Sequence, residues 1–106
     1  MKPIIFISGP MANREDANMT SFHNAARDLE ALGWTVLGPH LLPVLPREKA
    51  MLICITMIEQ ADAVLFLPDW QNSCGVLAEY NFVHSINKPF FHQALGYPKP
   101  EDLYEI

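Results

Sequence analysis

The stretch ADAVLFLPDWQNSCGVLAE, Ala61 to Glu79, decides the architecture. Its first half is a short apolar run between Asp62 and Pro68, the pattern of a strand covered on both faces rather than one that alternates. Pro68, Asp69 and Asn72 then interrupt it with turn-forming residues. From Ser73 onward, SCGVLAEYNFVHSIN reads as a helix, with a serine at its start and an apolar stripe. A buried strand, a polar loop and a helix in that order form one βα unit, the module of a parallel sheet.

The rest of the chain repeats this unit. KPIIFIS, ended by Gly9-Pro10, predicts strand 1, and residues 9–18 form a wide polar loop. Met19, Phe22, Ala26 and Leu29 recur at helical spacing, Asn18 or Thr20 can cap that helix, and Gly33 stands where it stops. WTVLG predicts strand 2. The segment PHLLPVLP holds three of the nine prolines and reads as a loop without regular hydrogen bonding. REKAMLICITMIEQ, Arg47 to Gln60, predicts a helix that is apolar on nearly every side between Ala50 and Ile58; such a helix is covered twice, by its own sheet and, in a chain this small, by a second subunit. KPFFHQ predicts strand 4, and the acidic, proline-containing tail ALGYPKPEDLYEI leaves room for one last short turn or helix. Residues 1–106 thus read as one domain, a three-layer α/β sandwich with a four- to five-stranded parallel sheet in the flavodoxin-like order 2-1-3-4. That order puts a switch point between strands 1 and 3.

Composition narrows the partners. Half of the residues are hydrophobic and 18% are charged, a globular rather than disordered balance. A net charge of −5 argues against a nucleic-acid or anionic-membrane surface, which needs clustered Lys and Arg. No stretch has the length of a signal peptide or membrane span. Cys54 and Cys74 suggest reduced thiols in a cytoplasmic protein, and the four histidines have no metal-ligand spacing, so no metal or cofactor is expected.

Ligands of such sheets bind beyond the carboxyl ends of the strands. There SGPMANRED after strand 1, PDWQNS after strand 3 and HQ after strand 4 converge. At about 100° per residue, Gly75, Val76, Phe82, Val83 and Ile86 surround Glu79 on the sheet-facing side of helix 3. The acid is therefore in the middle of an apolar stripe, with Gly75 leaving open volume one turn before it. Ser73 and Asn72 lie at the helix start, where hydroxyl and N–H groups can hold an anion. A structural acid satisfied by a neighbour is the competing explanation, but a buried charge is costly and marks sites where chemistry uses it.

FISGPM at strand 1, QADAVLFLPDW through strand 3, SCGVLAE opening helix 3 and NKPFF at strand 4 together resemble the nucleoside 2-deoxyribosyltransferase-like family, in register over residues 4–92. That family includes deoxynucleoside 5′-monophosphate N-glycosidases and small phage and bacterial proteins of unassigned function. The resemblance implies that Glu79 attacks the anomeric carbon of a 2′-deoxyribosyl group and forms a covalent sugar ester, resolved by water or a second base. It implies that Ser8, Gly9, Pro10, Met11, Ser73 and Gly75 hold sugar and phosphate, that Trp70 stacks on the base, and that a neighbouring subunit of a homodimer or higher homo-oligomer completes the site. Two positions depart from the pattern: Phe6 stands where many active members carry a tyrosine whose hydroxyl holds the nucleophile, and Cys54 falls where they carry an aspartate.

Asp69 is a second catalytic candidate, able to contact a ribose hydroxyl or assist proton transfer to the leaving base. Asp62 reads as structural, at the opposite end of the sheet, and Arg14 can meet a phosphate if its loop folds inward. The expected function is an N-glycosidase or deoxyribosyltransferase acting on a 2′-deoxynucleoside or its 5′-monophosphate. A non-catalytic nucleotide-binding or sequestering protein is the alternative, and hydrolysis of another N-riboside, such as a nicotinamide nucleotide, is the third.

Overall fold

Ile4–Ser8 form the inner strand β1, and in the computed structural model, which describes residues 1–105, all but the first of these five side chains are buried. β1 pairs in parallel with β2 (Thr35–Leu37) on one side and with β3 (Ala63–Phe66) on the other, and β3 pairs in parallel with β4 (Phe90–His92). The order is β2-β1-β3-β4, as the sequence predicts, with four strands. Three α-helices join them: α1 (Met19–Ala31), α2 (Arg47–Gln60) and α3 (Cys74–Ser85).

Side chains two apart on a strand share a face, so the sheet separates two cores. Ile5, Ile7, Ala63 and Leu65 pack with Phe22, Ala25 and Leu29 of α1 and with Trp34. Phe6, Val64 and Phe66 point the other way, to Cys54 and Ile58 of α2 and Val76 and Val83 of α3. Both faces of β1 and β3 are consequently dry, which is why their sequences show apolar runs with no alternation. The Trp34 Nε1–H donates to the carbonyl of Pro98 at 2.8 Å and fixes the tail to the first core. Pro100–Glu105 add a 3-10 segment; the last residue of the tail lies outside the described residues.

Several local expectations change. Asn18 holds the N-cap position of α1 but its side chain makes no cap bond; the Asp16 carboxylate instead accepts from the Thr20 N–H at 3.2 Å and from its hydroxyl at 2.6 Å. Asp16, Ala17 and Asn18 all have positive φ, and the Asn18 side chain donates to the Pro10 carbonyl at 2.9 Å, tying the wide loop back to the end of β1. Gly33 ends α1 at φ 109°, as expected of a helix-stopping glycine. PHLLPVLP contains one 3-10 turn, Pro39–Leu41, closed by bonds from the Leu41 and Leu42 N–H groups to Gly38 and Pro39. Ile86 falls just beyond α3 and is exposed rather than sheet-facing. On α2 the sheet covers Cys54 and Ile58, while Leu52 is 69% exposed and Ile53 is also exposed. Asp62 accepts from the Ile4 N–H at 2.8 Å, at the amino end of the sheet.

Two glycines at the carboxyl edge are under different constraints. A Cβ on Gly9 would lie 2.7 Å from Leu67 Cδ1, whereas one on Gly75 would meet only Ser73 Oγ at 3.9 Å. Gly9→Ala should therefore destabilise the fold by about 1–3 kcal/mol, because Leu67 is itself fully buried, whereas Gly75→Ala should be neutral or slightly stabilising. Urea denaturation of the two variants checks this; equal effects would refute the steric assignment.

Candidate active site

In a parallel sheet every helix that follows a strand starts at the carboxyl edge. The loop after β1, Pro39, the first turns of α2 and the start of α3 here enclose a cleft of about 430 Å³. Its lining includes Gly9, Pro10, Met11, Ser73, Gly75 and Glu79. Ser73 has the N-cap position, its Oγ accepting from the Val76 N–H at 3.3 Å. Gly75 leaves the wall open above Glu79, one helical turn further on.

Glu79 is 9% exposed and lies on α3 between Val76 and Val83, which belong to the second core. Ser8, the last residue of β1 and fully buried, donates its hydroxyl to Glu79 Oε1 at 2.6 Å. Strand alternation explains the pairing: Ser8 shares the face of Phe6, two residues before it, and that face looks toward α3. The phenyl ring of Phe6 donates nothing, so a hydroxyl two positions later does the orienting. Burial pushes the Glu79 carboxyl from its ordinary 4.5 up to about 7, with the Ser8 hydrogen bond pulling in the opposite direction. Cys54 lies behind the carboxylate, 3% exposed, and its thiol is pushed up to about 12 by burial and, secondarily, by the charge on Glu79. It is a protonated, neutral wall of the cleft, in contrast to the carboxylate of the family pattern.

Asp69 and Trp70 do not line this cleft. Asp69, at φ 66°, turns toward the other side of the β1 loop, where its carboxylate pairs with Arg14 Nη1 at 3.2 Å beside a polar depression formed with Gln93 and Tyr97. Trp70 stacks on Tyr80, with ring centroids 4.4 Å apart and an interplanar angle of 20°, and also packs on Phe66 and His92. Glu79 is the one carboxylate among the described residues lining the cleft. Sequence reading missed Arg47, Ala50 and Met51, which enter from the first turns of α2. The parallel order contained the signal, since it brings the start of α2 to the same edge as the start of α3. Among the described residues no group of three or more His, Cys, Asp or Glu is placed to hold a metal ion, and no helix is long and apolar enough to cross a membrane.

A family profile described as Domain of unknown function (DUF4406) matches residues 3–92. The fold is similar to that of a solved 2-desoxiribosyltransferase from Leishmania mexicana, with a TM-score of 0.71 at 18% sequence identity. The likeness covers 85% of this chain and 63% of that one, so this chain spans less than two thirds of its length. Comparison with curated proteins gives no match.

The raised Glu79 pKa links stability to pH. Unfolded, the carboxyl ionises near 4.5; folded, it keeps its proton until about 7. Its contribution is fully present below about pH 4.5 and is lost as pH rises through 7. Glu79→Gln carries no such penalty. The variant should gain up to about 3 kcal/mol relative to wild type between about pH 5 and pH 8. Paired urea titrations at the two pH values measure this, and a difference independent of pH would contradict the burial of an ionisable Glu79.

Proposed function

The chain belongs to the DUF4406 family, and from that premise we propose that it is an N-glycosidase or deoxyribosyltransferase acting on the N-glycosidic bond of a 2′-deoxynucleoside or its 5′-monophosphate. The observation that carries the reading is the buried Glu79 carboxylate, held by Ser8 at 2.6 Å and facing the cleft beneath Gly75. The 2-deoxyribosyltransferase fold supports it.

In the proposed reaction the ionised Glu79 attacks C1′ of the sugar. The C1′–N bond breaks, its electron pair leaves with the nucleobase, and an ester joins C1′ to Glu79. Water, losing a proton, or an acceptor base then attacks C1′ and releases the carboxylate, so one difficult displacement becomes two through an oxocarbenium-like transition state. Ser8 fixes the carboxylate on a rigid helix. Gly9, Pro10, Met11, Ser73 and Gly75 form the walls that hold the sugar. Asp69 acts indirectly by holding Arg14, and Trp70 anchors the loop after β3. With no second carboxylate in the cleft, the leaving base takes its proton from solvent.

The exposed apolar residues Leu52 and Ile53 on α2 support a homodimer or higher homo-oligomer with a site completed across subunits. Sedimentation at micromolar concentration should give a species heavier than 12.0 kDa; a clean monomer would remove the oligomer from the proposal.

The chemistry is tested by incubation with a panel of deoxynucleosides and deoxynucleotides. Wild type should release base and, with a slow substrate, carry a sugar adduct on Glu79 by mass spectrometry. Glu79→Gln should lose at least about 10³-fold of the rate. Because only the ionised carboxylate attacks, kcat/KM should rise with pH through about 7. Ser8→Ala, which removes the bond that lowers the Glu79 pKa, should move that limb to higher pH. Tight binding without release in both wild type and Glu79→Gln would reject catalysis in favour of a nucleotide-binding module.

A further inference from the structure

His40 is the middle residue of the Pro39–Leu41 turn, and its Nδ1 is the one buried side-chain nitrogen or oxygen among the described residues that has no hydrogen-bond partner. A polar atom so placed costs free energy that packing must offset. The packing is specific. The ring stacks on Phe22 of α1, with centroids 5.5 Å apart and an interplanar angle of 21°, and meets the His23 ring edge-on at 5.7 Å. Its other contact is with Gly38, where a Cβ would lie 2.6 Å from Nδ1 and 2.8 Å from Cε1. A side chain at residue 38 would displace the imidazole.

The same turn has a second face. Pro39, next to His40, lines the Glu79 cleft. Two backbone bonds close the turn, from the Leu41 N–H to Gly38 at 3.2 Å and from the Leu42 N–H to Pro39 at 3.1 Å. Leu41 is 58% exposed, which leaves the stacked imidazole to fasten the turn to α1.

We propose that His40 is a pH-dependent latch: neutral, it seats the Pro39 wall of the cleft against α1, and protonated, it leaves its slot and lets that wall loosen. The proposal rests on the geometry of the turn and stands whatever the cleft binds. A neutral imidazole can keep its proton on Nε2 and leave a bare Nδ1 against Gly38. An imidazolium donates from both nitrogens, and its Nδ1–H would be buried with no acceptor. The charged and titratable groups around the ring are His23, Arg27 and Glu30 from α1 and Lys2 from the segment before β1, while β2 presents Thr35 and Val36. Glu30 favours the cation; Arg27, Lys2 and a protonated His23 oppose it. Burial first, and His23 second, hold the His40 pKa below its ordinary 6.5, with Glu30 pulling it back. The stability that depends on the neutral ring is therefore complete above pH 6.5 and is lost as pH falls from there through the depressed folded value. Glu79 has the opposite sign, gaining stability toward acid, so the latch has to be read locally.

The local reading is hydrogen exchange of the Leu41 and Leu42 amides, expressed as protection relative to the intrinsic rate, at about pH 7.5 and about pH 5.5. Wild type, and Glu79→Gln in which that carboxyl no longer titrates, should both lose at least about threefold of this protection at the lower pH. His40→Phe keeps a ring on Phe22 that cannot be charged and should abolish the loss. His23→Gln removes one source of repulsion and should shrink it. NMR titration of the imidazole protons should place His40 below 6.5. Protection independent of pH in wild type, a loss that persists in His40→Phe, or a His40 titration at or above 6.5 overturns the proposal. If the larger phenyl ring does not fit against Gly38 and His40→Phe fails to fold, His23→Gln and the imidazole titration carry the decision: an undiminished loss in His23→Gln overturns the latch, and a diminished one supports it.

Discussion

The dryness of the two inner strands is the constraint from which the rest of the molecule follows. β1 and β3 are covered by α1 on one face and by α2 and α3 on the other, so no polar side chain can be accommodated along most of their length without a partner. Ser8 is the first place where that changes. It is the last residue of β1, still fully buried, and its hydroxyl is satisfied only because Glu79 reaches it from α3. The acid has the same dependence in return: its position in the apolar stripe of α3 costs stability whenever it is ionised, and the Ser8 hydrogen bond offsets part of that cost. One short bond therefore joins the end of the central strand, the packing of α3 and the reactive group of the proposed site.

Electrostatics in the cleft are asymmetric for a related reason. The parallel sheet directs the starts of α2 and α3 to one edge, and Arg47 and Arg14 add charge to that positive field. Against it stand one recessed carboxylate and a thiol that keeps its proton. Cys54, in place of a second acid, leaves Glu79 without a like charge beside it. Desolvation rather than repulsion is what raises its pKa.

The parts legible in the sequence were those governed by burial. Continuous apolar runs marked β1 and β3, helical spacing marked α1, and the bounds of α2 at Arg47 and Gln60 could be read directly because polar and proline residues flank a segment that is apolar but for Thr56. The parallel sheet followed from the alternation of elements, and the order β2-β1-β3-β4 is the one that puts a switch point between β1 and β3. Positions that depend on backbone conformation in loops were not legible. Asp16 reaches the first turn of α1 only because three successive residues adopt positive φ, a conformation that the Asn18 to Pro10 contact supports and local sequence does not announce. Asp69 likewise turns away from the cleft through its own left-handed conformation, taking Trp70 into the aromatic packing around Phe66 and Tyr80. The Ser8–Glu79 pairing was within reach, since strand alternation puts Ser8 on the face of Phe6 that looks toward α3.

The contact between Gly9 and Leu67 has a consequence for how the site can diverge. It presses the residue after β1 against the residue after β3 with no space for a side chain between them, while the Leu67 N–H bonds the Ser8 carbonyl at 2.9 Å. The two loop roots therefore form a single rigid sill, and neither can be lengthened there without displacing the other. The lining of the cleft outside the sill, namely the outer part of the 9–18 loop, Pro39, the first turns of α2 and the start of α3, is free of that constraint. The floor that holds the carboxylate can persist while the rim is rewritten, so a change of ligand need not involve a change in the position of Glu79.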